Sequence, residues 1–173
     1  VYTTLGVSKN NLDANQKIKL IYNNDGTYNI QFLHSEKVLD VQDADTKNRT
    51  KVWQYDFNNS DAQKWIINKN SDDSYTIISK CSNLVLDIEN GNISNGSGIQ
   101  TYEYNGSNAQ KFIFEECNEI QGTQNLKDST YRIASCVSYN QVLDISGGFY
   151  DNGINLQVWQ NDGVSQQRFN IEY

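Results

Sequence analysis

The chain has 173 residues, 37% of them apolar, a Tyr-dominated aromatic fraction of 12%, and a formal net charge of −7. That length fits one domain with a sizeable core. The acidic balance argues against nucleic acid, whose binders show a basic stripe, and against docking on anionic lipid; no apolar run approaches the roughly 20 residues of a membrane span, so no direct membrane insertion is expected.

The first 27 residues stand apart from the remainder of the chain. Within them Asn15-Gln16-Lys17-Ile18 resembles a strand pattern met three times later, and Gln16 precedes Gln63 by 47 residues. Thr4 to Tyr22 therefore reads either as the second half of an earlier repeat or as a linker strand packed on the rest. With no Met and no signal-peptide pattern, the chain is expected to be a mature or excised piece.

From Tyr28 onward the sequence repeats itself. Asp40, Asp87 and Asp144 are each followed 15 residues later by Tyr55, Tyr102 or Trp159, and 23 residues later by Gln63, Gln110 or Gln167. Three ungapped copies of one pattern mark an internal repeat, here spanning 28–70, 75–117 and 131–173. Each copy opens on an alternating strand: Tyr28-Asn29-Ile30, Tyr75-Thr76-Ile77 or Tyr131-Arg132-Ile133. A second strand comes next, Val38–Val41, Val85–Ile88 or Val142–Ile145. Then comes a turn carrying Asn48, Asn95 or Asn152, two of them Asn-Gly and so a hairpin signal. The third strand holds Trp53-Gln54-Tyr55, Gln100-Thr101-Tyr102 or Gln157-Val158-Trp159. The fourth holds Gln63-Lys64-Trp65, Gln110-Lys111-Phe112 or Gln167-Arg168-Phe169.

Nothing shows a sustained helical period, so the expectation is all-β, with four short strands per repeat packed about a shared axis. The aromatics Trp65, Phe112 and Phe169 are expected in the core. Leu39 to Leu86 is 47 residues and Leu86 to Leu143 is 57, which places ten extra residues in a surface loop within 115–130. Cys81, Cys117 and Cys136 form neither a CxxC nor an even set, and are expected as free thiols.

Three Gln-x-(Trp/Phe) strands, each preceded by a Leu-Asp, resemble the ricin B-chain type lectin family, also called carbohydrate-binding module family 13. The Asn-rich style is similar to clostridial members, and repeat three resembles the galactose-binding repeat of clostridial haemagglutinins. The resemblance covers residues 28–173. It implies a β-trefoil with pseudo-threefold symmetry, a six-stranded barrel capped by three hairpins. It also implies a secreted carbohydrate-binding module with no cofactor and no metal. Its partners would be galactose or N-acetylgalactosamine-type glycans and the other domains of a larger toxin or glycoside hydrolase.

Under that resemblance the three Asp residues and their paired aromatics carry the sugar. A carboxylate accepts from two vicinal hydroxyls through charge-assisted bonds, while an aromatic face covers the apolar side of the ring. Repeat three is the fullest set, with Asp144, Gln157, Trp159, Gln166, Gln167 and Gly147, whose neighbour Gly148 adds close backbone approach. Repeat two has Asp87, Gln100, Tyr102 and Gln110, but Ala109 where the family has an amide. Repeat one has Asp40, Tyr55 and Gln63, but Trp53 replaces the third-strand Gln and Ala62 the amide. Trp53 either stacks on a ligand or packs outward. The motif glutamines either bond backbone within their repeat or contact ligand. The expected ranking is repeat three, then two, then one. The departures at Ala62 and Ala109 keep a structural or protein-interaction trefoil with decayed sites as the alternative.

No catalytic set is legible, and no enzyme activity is expected. His34 has no Cys or Ser partner at a telling spacing, and Asp43/Asp45 and Asp72/Asp73 read as loops without an EF-hand pattern. Glycosidase chemistry needs two carboxylates across one cleft, whereas the three repeated Asp residues fall in separate lobes.

Overall fold

Alternation with a period of two sends every second side chain to one face of a strand, and here it separates core from pocket. In the computed structural model, which describes residues 18–32, 35–116, 129–160 and 169–171, the sequence forms thirteen strands joined into one sheet. Gln166, Gln167, His34, Cys117, residues 15–17 and the inserted loop from 117 to 128 lie outside the described residues.

The first strand, β1 (Ile18–Tyr22), precedes the repeats. Repeat one contains β2 (Tyr28–Phe32), β3 (Val38–Val41), β4 (Thr50–Tyr55) and β5 (Trp65–Lys69). Repeat two contains β6 (Tyr75–Ser79), β7 (Val85–Ile88), β8 (Ser97–Tyr102) and β9 (Phe112–Glu116). Repeat three contains β10 (Ser129–Ser135), β11 (Gln141–Ile145), β12 (Ile154–Gln160) and β13 (Phe169–Ile171). The helical pieces among the described residues are single 3-10 turns.

This is a β-trefoil. First and fourth strands pair in sequence, β2–β5–β6–β9–β10–β13, to build the barrel wall. Second and third strands form three hairpins, and the third strands β4, β8 and β12 pair with one another at the axis. The turns entering those third strands lock each repeat to the next. The side-chain oxygens of Asn48, Asn95 and Asn152 accept from the backbone N–H of Glu103, Gln160 and Asp56 at 2.8, 2.7 and 3.0 Å.

One core runs through all three repeats. Trp65 and Phe112 are fully buried in it, and the Trp65 indole N–H donates to the Leu39 carbonyl at 3.1 Å. Burying rings of this size stabilises by roughly 1.5–3 kcal/mol each. Phe169 begins β13 and pairs with Tyr131 as Phe112 pairs with Tyr75. The thiols of Cys81 and Cys136 are free.

β1 pairs with β2 along its whole length, from Ile18↔Phe32 to Tyr22↔Tyr28, and buries Leu20. Ile18 thereby stands opposite Phe32 as Trp65 stands opposite Ser79 and Phe112 opposite Ser135. The turn after β1 is also a copy. Asn23 N–H donates to Thr27 O at 2.7 Å, and Asn70 N–H to Ser74 O at 2.8 Å. The Asp25 and Asp72 carboxylates accept from the hydroxyls of Thr27 and Ser74.

Candidate carbohydrate site

In each hairpin the second strand sends Leu-x-Val or Leu-x-Ile inward and its Asp to the opposite face. Leu39 and Val41, Leu86 and Ile88, and Leu143 and Ile145 join the core, which leaves Asp40, Asp87 and Asp144 on the other side of the sheet. The cross-strand register then sets each Asp opposite one residue of the third strand: Asp40↔Trp53, Asp87↔Gln100 and Asp144↔Gln157. One pair further along, on the same face, stand Val38↔Tyr55, Val85↔Tyr102 and Val142↔Trp159. A carboxylate, a donor holding it and an aromatic are thus fixed on one face by strand pairing alone. Tyr55 and Trp159 keep 37% and 36% of their surface exposed, while the three Asp residues are buried.

The donors differ between repeats. Gln100 Nε2 donates to Asp87 Oδ1 at 2.9 Å, and Gln157 Nε2 to Asp144 Oδ1 at 2.7 Å. In repeat one the indole N–H of Trp53 makes the equivalent bond to Asp40 Oδ1 at 2.6 Å, and its ring stacks on Tyr55 with centroids 5.8 Å apart. Trp53 is half-buried and also packs beside Gly153.

The motif glutamines sit differently from the strand expected of them. Gln63 and Gln110 end one-turn 3-10 segments, Asp61–Gln63 and Asn108–Gln110, just before β5 and β9. The turn folds each amide back on its own loop. Gln63 Nε2 donates to Asp56 O and its Oε1 accepts from Asn58 N–H, both at 2.8 Å. Gln110 does the same with Glu103 O and Asn105 N–H at 2.8 Å, and its Nε2 also reaches Asp87 Oδ2 at 3.1 Å. Both side chains are fully buried, so they act on a surface ligand only through the loop and the Asp they hold.

After each second strand the chain turns through two consecutive left-handed residues: Asp43-Ala44, Asn90-Gly91 and Gly147-Gly148. Gly147 has φ +67, and a Cβ there would run into the Phe149 ring. Open depressions adjoin these turns. One of about 370 Å³ is lined in repeat one by Asp40, Asp43, Trp53, Tyr55, Asn58 and Ala62. One of about 420 Å³ in repeat two involves Asp87, Asn90, Gln100, Tyr102, Asn105 and Asn108. Asn58, Asn105 and Asn108 were not expected from the sequence as lining residues; the 47-residue offset from Asn58 to Asn105 is the signal that could have found the first two. Exposed Phe149 and Tyr150 beside Gly147-Gly148 were likewise not anticipated.

Burial holds the Asp40 and Asp87 carboxyls above the ordinary aspartate range, against the bonds from Trp53 and from Gln100 and Gln110. Desolvation disfavours the charged form, and the donors recover part of that cost. A buried carboxylate already oriented by neutral donors, with an aromatic beside it, is suited to accept hydroxyls. No group of three or more His, Cys, Asp or Glu placed to hold a metal occurs among the described residues.

A trefoil with a carboxylate–aromatic depression in its hairpins is the architecture of a lectin-type domain. The chain belongs to the ricin-type β-trefoil lectin domain-like family, whose model matches residues 14–102. No curated protein matches the chain. Solved structures do. A designed threefold-symmetric protein, ThreeFoil, is 26% identical with a TM-score of 0.75, over 83% of this chain and 96% of that one. An exo-β-1,3-galactanase from Clostridium thermocellum is 22% identical with a TM-score of 0.74; 86% of this chain is covered, but only 30% of the enzyme. A ricin B-like lectin of Macrolepiota procera, solved in complex with lactose, is 20% identical with a TM-score of 0.60, over 92% of this chain and 97% of that lectin.

Proposed function

We propose that this chain is a carbohydrate-binding module for galactose or N-acetylgalactosamine-type glycans, non-catalytic itself and part of a larger secreted toxin or glycoside hydrolase. The observation that carries the reading is the cross-strand pair of a buried Asp and its donor beside an aromatic, built once per repeat, with the aromatic exposed in repeats one and three and half-buried in repeat two. Support comes from the family, from the lactose complex of the Macrolepiota lectin, and from the galactanase whose length this trefoil spans only in part. Binding centres on repeat three, where Asp144, Gln157 and Trp159 stand near the left-handed Gly147-Gly148 turn. Asp144 accepts two hydroxyls and Trp159 covers the ring, with Gln166 as a further amide in the family's pattern. Repeats two and one rank below it, in that order. Calorimetric titration with galactose tests the reading: heat that saturates supports it, and no binding of any galactose-type glycan favours a structural trefoil.

A further inference from the structure

The turn at the rim of the repeat-two depression carries an arginine where the other two turns carry glycine. Arg49, Gly96 and Gly153 occupy the same place in the three turns that lead into the third strands. Their backbone N–H groups donate to Thr101 O, Val158 O and Gln54 O of the next repeat at 2.8, 3.0 and 2.9 Å. All three are left-handed, with φ of 69, 85 and 75. Glycine is the usual occupant of that conformation, and an arginine there is a strained choice. Gly96 lies beside Gln157 and Trp159, and Gly153 beside Trp53. The equivalent place next to Gln100 carries the Arg49 side chain, which lines the repeat-two depression with Asp87, Gln100, Tyr102 and Asn105. Arg49 is exposed, and its guanidinium makes no hydrogen bond or ion pair among the described residues. Lys51 lies with it in an adjoining cleft of about 320 Å³, where Glu89 is the facing acid.

We propose that repeat two takes a galactose-type ring bearing a negatively charged substituent, a carboxylate or a sulfate, with the charge on Arg49 and ring hydroxyls on Asp87. The inference rests on the carbohydrate reading of the same depression and names its substrate class. A planar guanidinium matches both substituents with paired N–H donors. The chain's net charge of −7 opposes an anion only at long range. That field is screened over about 10 Å at ordinary salt, whereas charges in direct contact lie well inside that length and are screened less.

The test tracks backbone amide NMR shifts of Tyr102, Asn105 and Gly106 during titration with galactose, galacturonate and galactose 6-sulfate. It compares the natural chain with Arg49→Gly, which carries the residue already found at the two sister turns. The expected result is about tenfold tighter binding of a charged sugar than of galactose in the natural chain, and a ratio near one in Arg49→Gly. An advantage confined to one charged sugar upholds the inference and selects the substituent. Charged sugars that bind no tighter than galactose, or an advantage that survives Arg49→Gly, overturn it while leaving the lectin reading intact. If no sugar shifts these amides, the carbohydrate reading of repeat two falls, and this inference with it.

Discussion

Trp53 donates its indole N–H to Asp40 at 2.6 Å, in the position where repeats two and three use a glutamine amide. The substitution preserves the donor while adding an aromatic surface stacked on Tyr55. Repeat one therefore retains an oriented carboxylate without the glutamine.

Trp53→Phe tests this. An aromatic ring stays, though a smaller one, but a buried carboxylate loses a donor, which costs about 1.5–3 kcal/mol at neutral pH. Burial already raises the Asp40 carboxyl, so protonation relieves the loss in acid, and the difference between variant and parent should shrink there. Urea midpoints at neutral and at acid pH measure both effects. Equal stability at neutral pH would show that the bond to Trp53 contributes nothing.

Much of this was legible in the sequence, and the parts that were not have physical causes. The period of two in Val38–Val41 and the 15-residue spacing from Asp40 to Tyr55 already imply a shared face, because strand pairing converts sequence offset into register. The trefoil came from repetition and the resemblance together. Trp53 stayed ambiguous because spacing does not reveal which way an indole N–H points. Gln63 and Gln110 were expected on strands because their offset to the aromatic is two, but a 3-10 turn gives the same offset. The offset aligns Arg49 with Gly96 and Gly153, but an arginine carries no glycine signal to announce a left-handed turn, and that conformation emerges only from the structure.

The paired left-handed residues give a second prediction. Ala44 has φ +51 where the sister repeats have Gly91 and Gly148. Ala44→Gly should stabilise by about 1 kcal/mol, because the release of strain exceeds the entropic cost of glycine in the unfolded chain. Gly147→Ala should destabilise by more than that, since the added Cβ meets the Phe149 ring as well as an unfavourable φ. Thermal or chemical denaturation of the two variants checks the opposite signs. A destabilised Ala44→Gly would mean the turn is relaxed as it stands.

Sugar affinity should respond to acid before the fold does. A carboxyl raised by burial takes up its proton at a pH above the ordinary value of 3.8, and a protonated Asp87 or Asp40 accepts hydroxyls poorly. Burial makes these groups easier to protonate in the folded chain than in the unfolded one, so their protonation does not itself unfold the chain. Asp25 and Asp72 behave oppositely. Their bonds to Lys80 and Lys111 hold them well below the ordinary range, so their contribution is present above the unfolded value and is lost only as pH falls through the lower folded value. Affinity at repeats one and two is expected to fall through a window in which circular dichroism stays unchanged. Loss of both signals together would contradict this order.

Removal of one carboxylate at a time ranks the sites. Asp144→Ala is expected to weaken galactose binding roughly ten- to hundredfold, the worth of a charge-assisted pair of hydrogen bonds. Asp40→Ala should matter much less, since Ala62 replaces the amide beside its depression. Per-site affinity should lie in the millimolar to micromolar range, because a shallow depression covers little of a monosaccharide. Calorimetry on both variants reads the ranking directly. Full binding by Asp144→Ala with loss in Asp40→Ala would reverse it.

The last prediction concerns β1. Its register on β2 and the copied turn at Asn23–Thr27 give it the geometry of a fourth strand, 47 residues ahead of β5. β13 is the fourth strand of repeat three and lies beside β1, so two strands of one kind stand next to each other, with β1 on the edge of β2. We propose that β1 is the remnant of a preceding repeat, seated where β13 would otherwise close the barrel. Deleting residues 1–24 removes the buried Leu20 but frees that edge. Antiparallel pairing of β13 with β2 restores the backbone hydrogen bonds that the deletion exposes. The shortened chain is expected to unfold in one cooperative transition at a modestly lower midpoint, with new amide protection from exchange in β13. A chain that no longer folds would show instead that β1 is integral to the barrel.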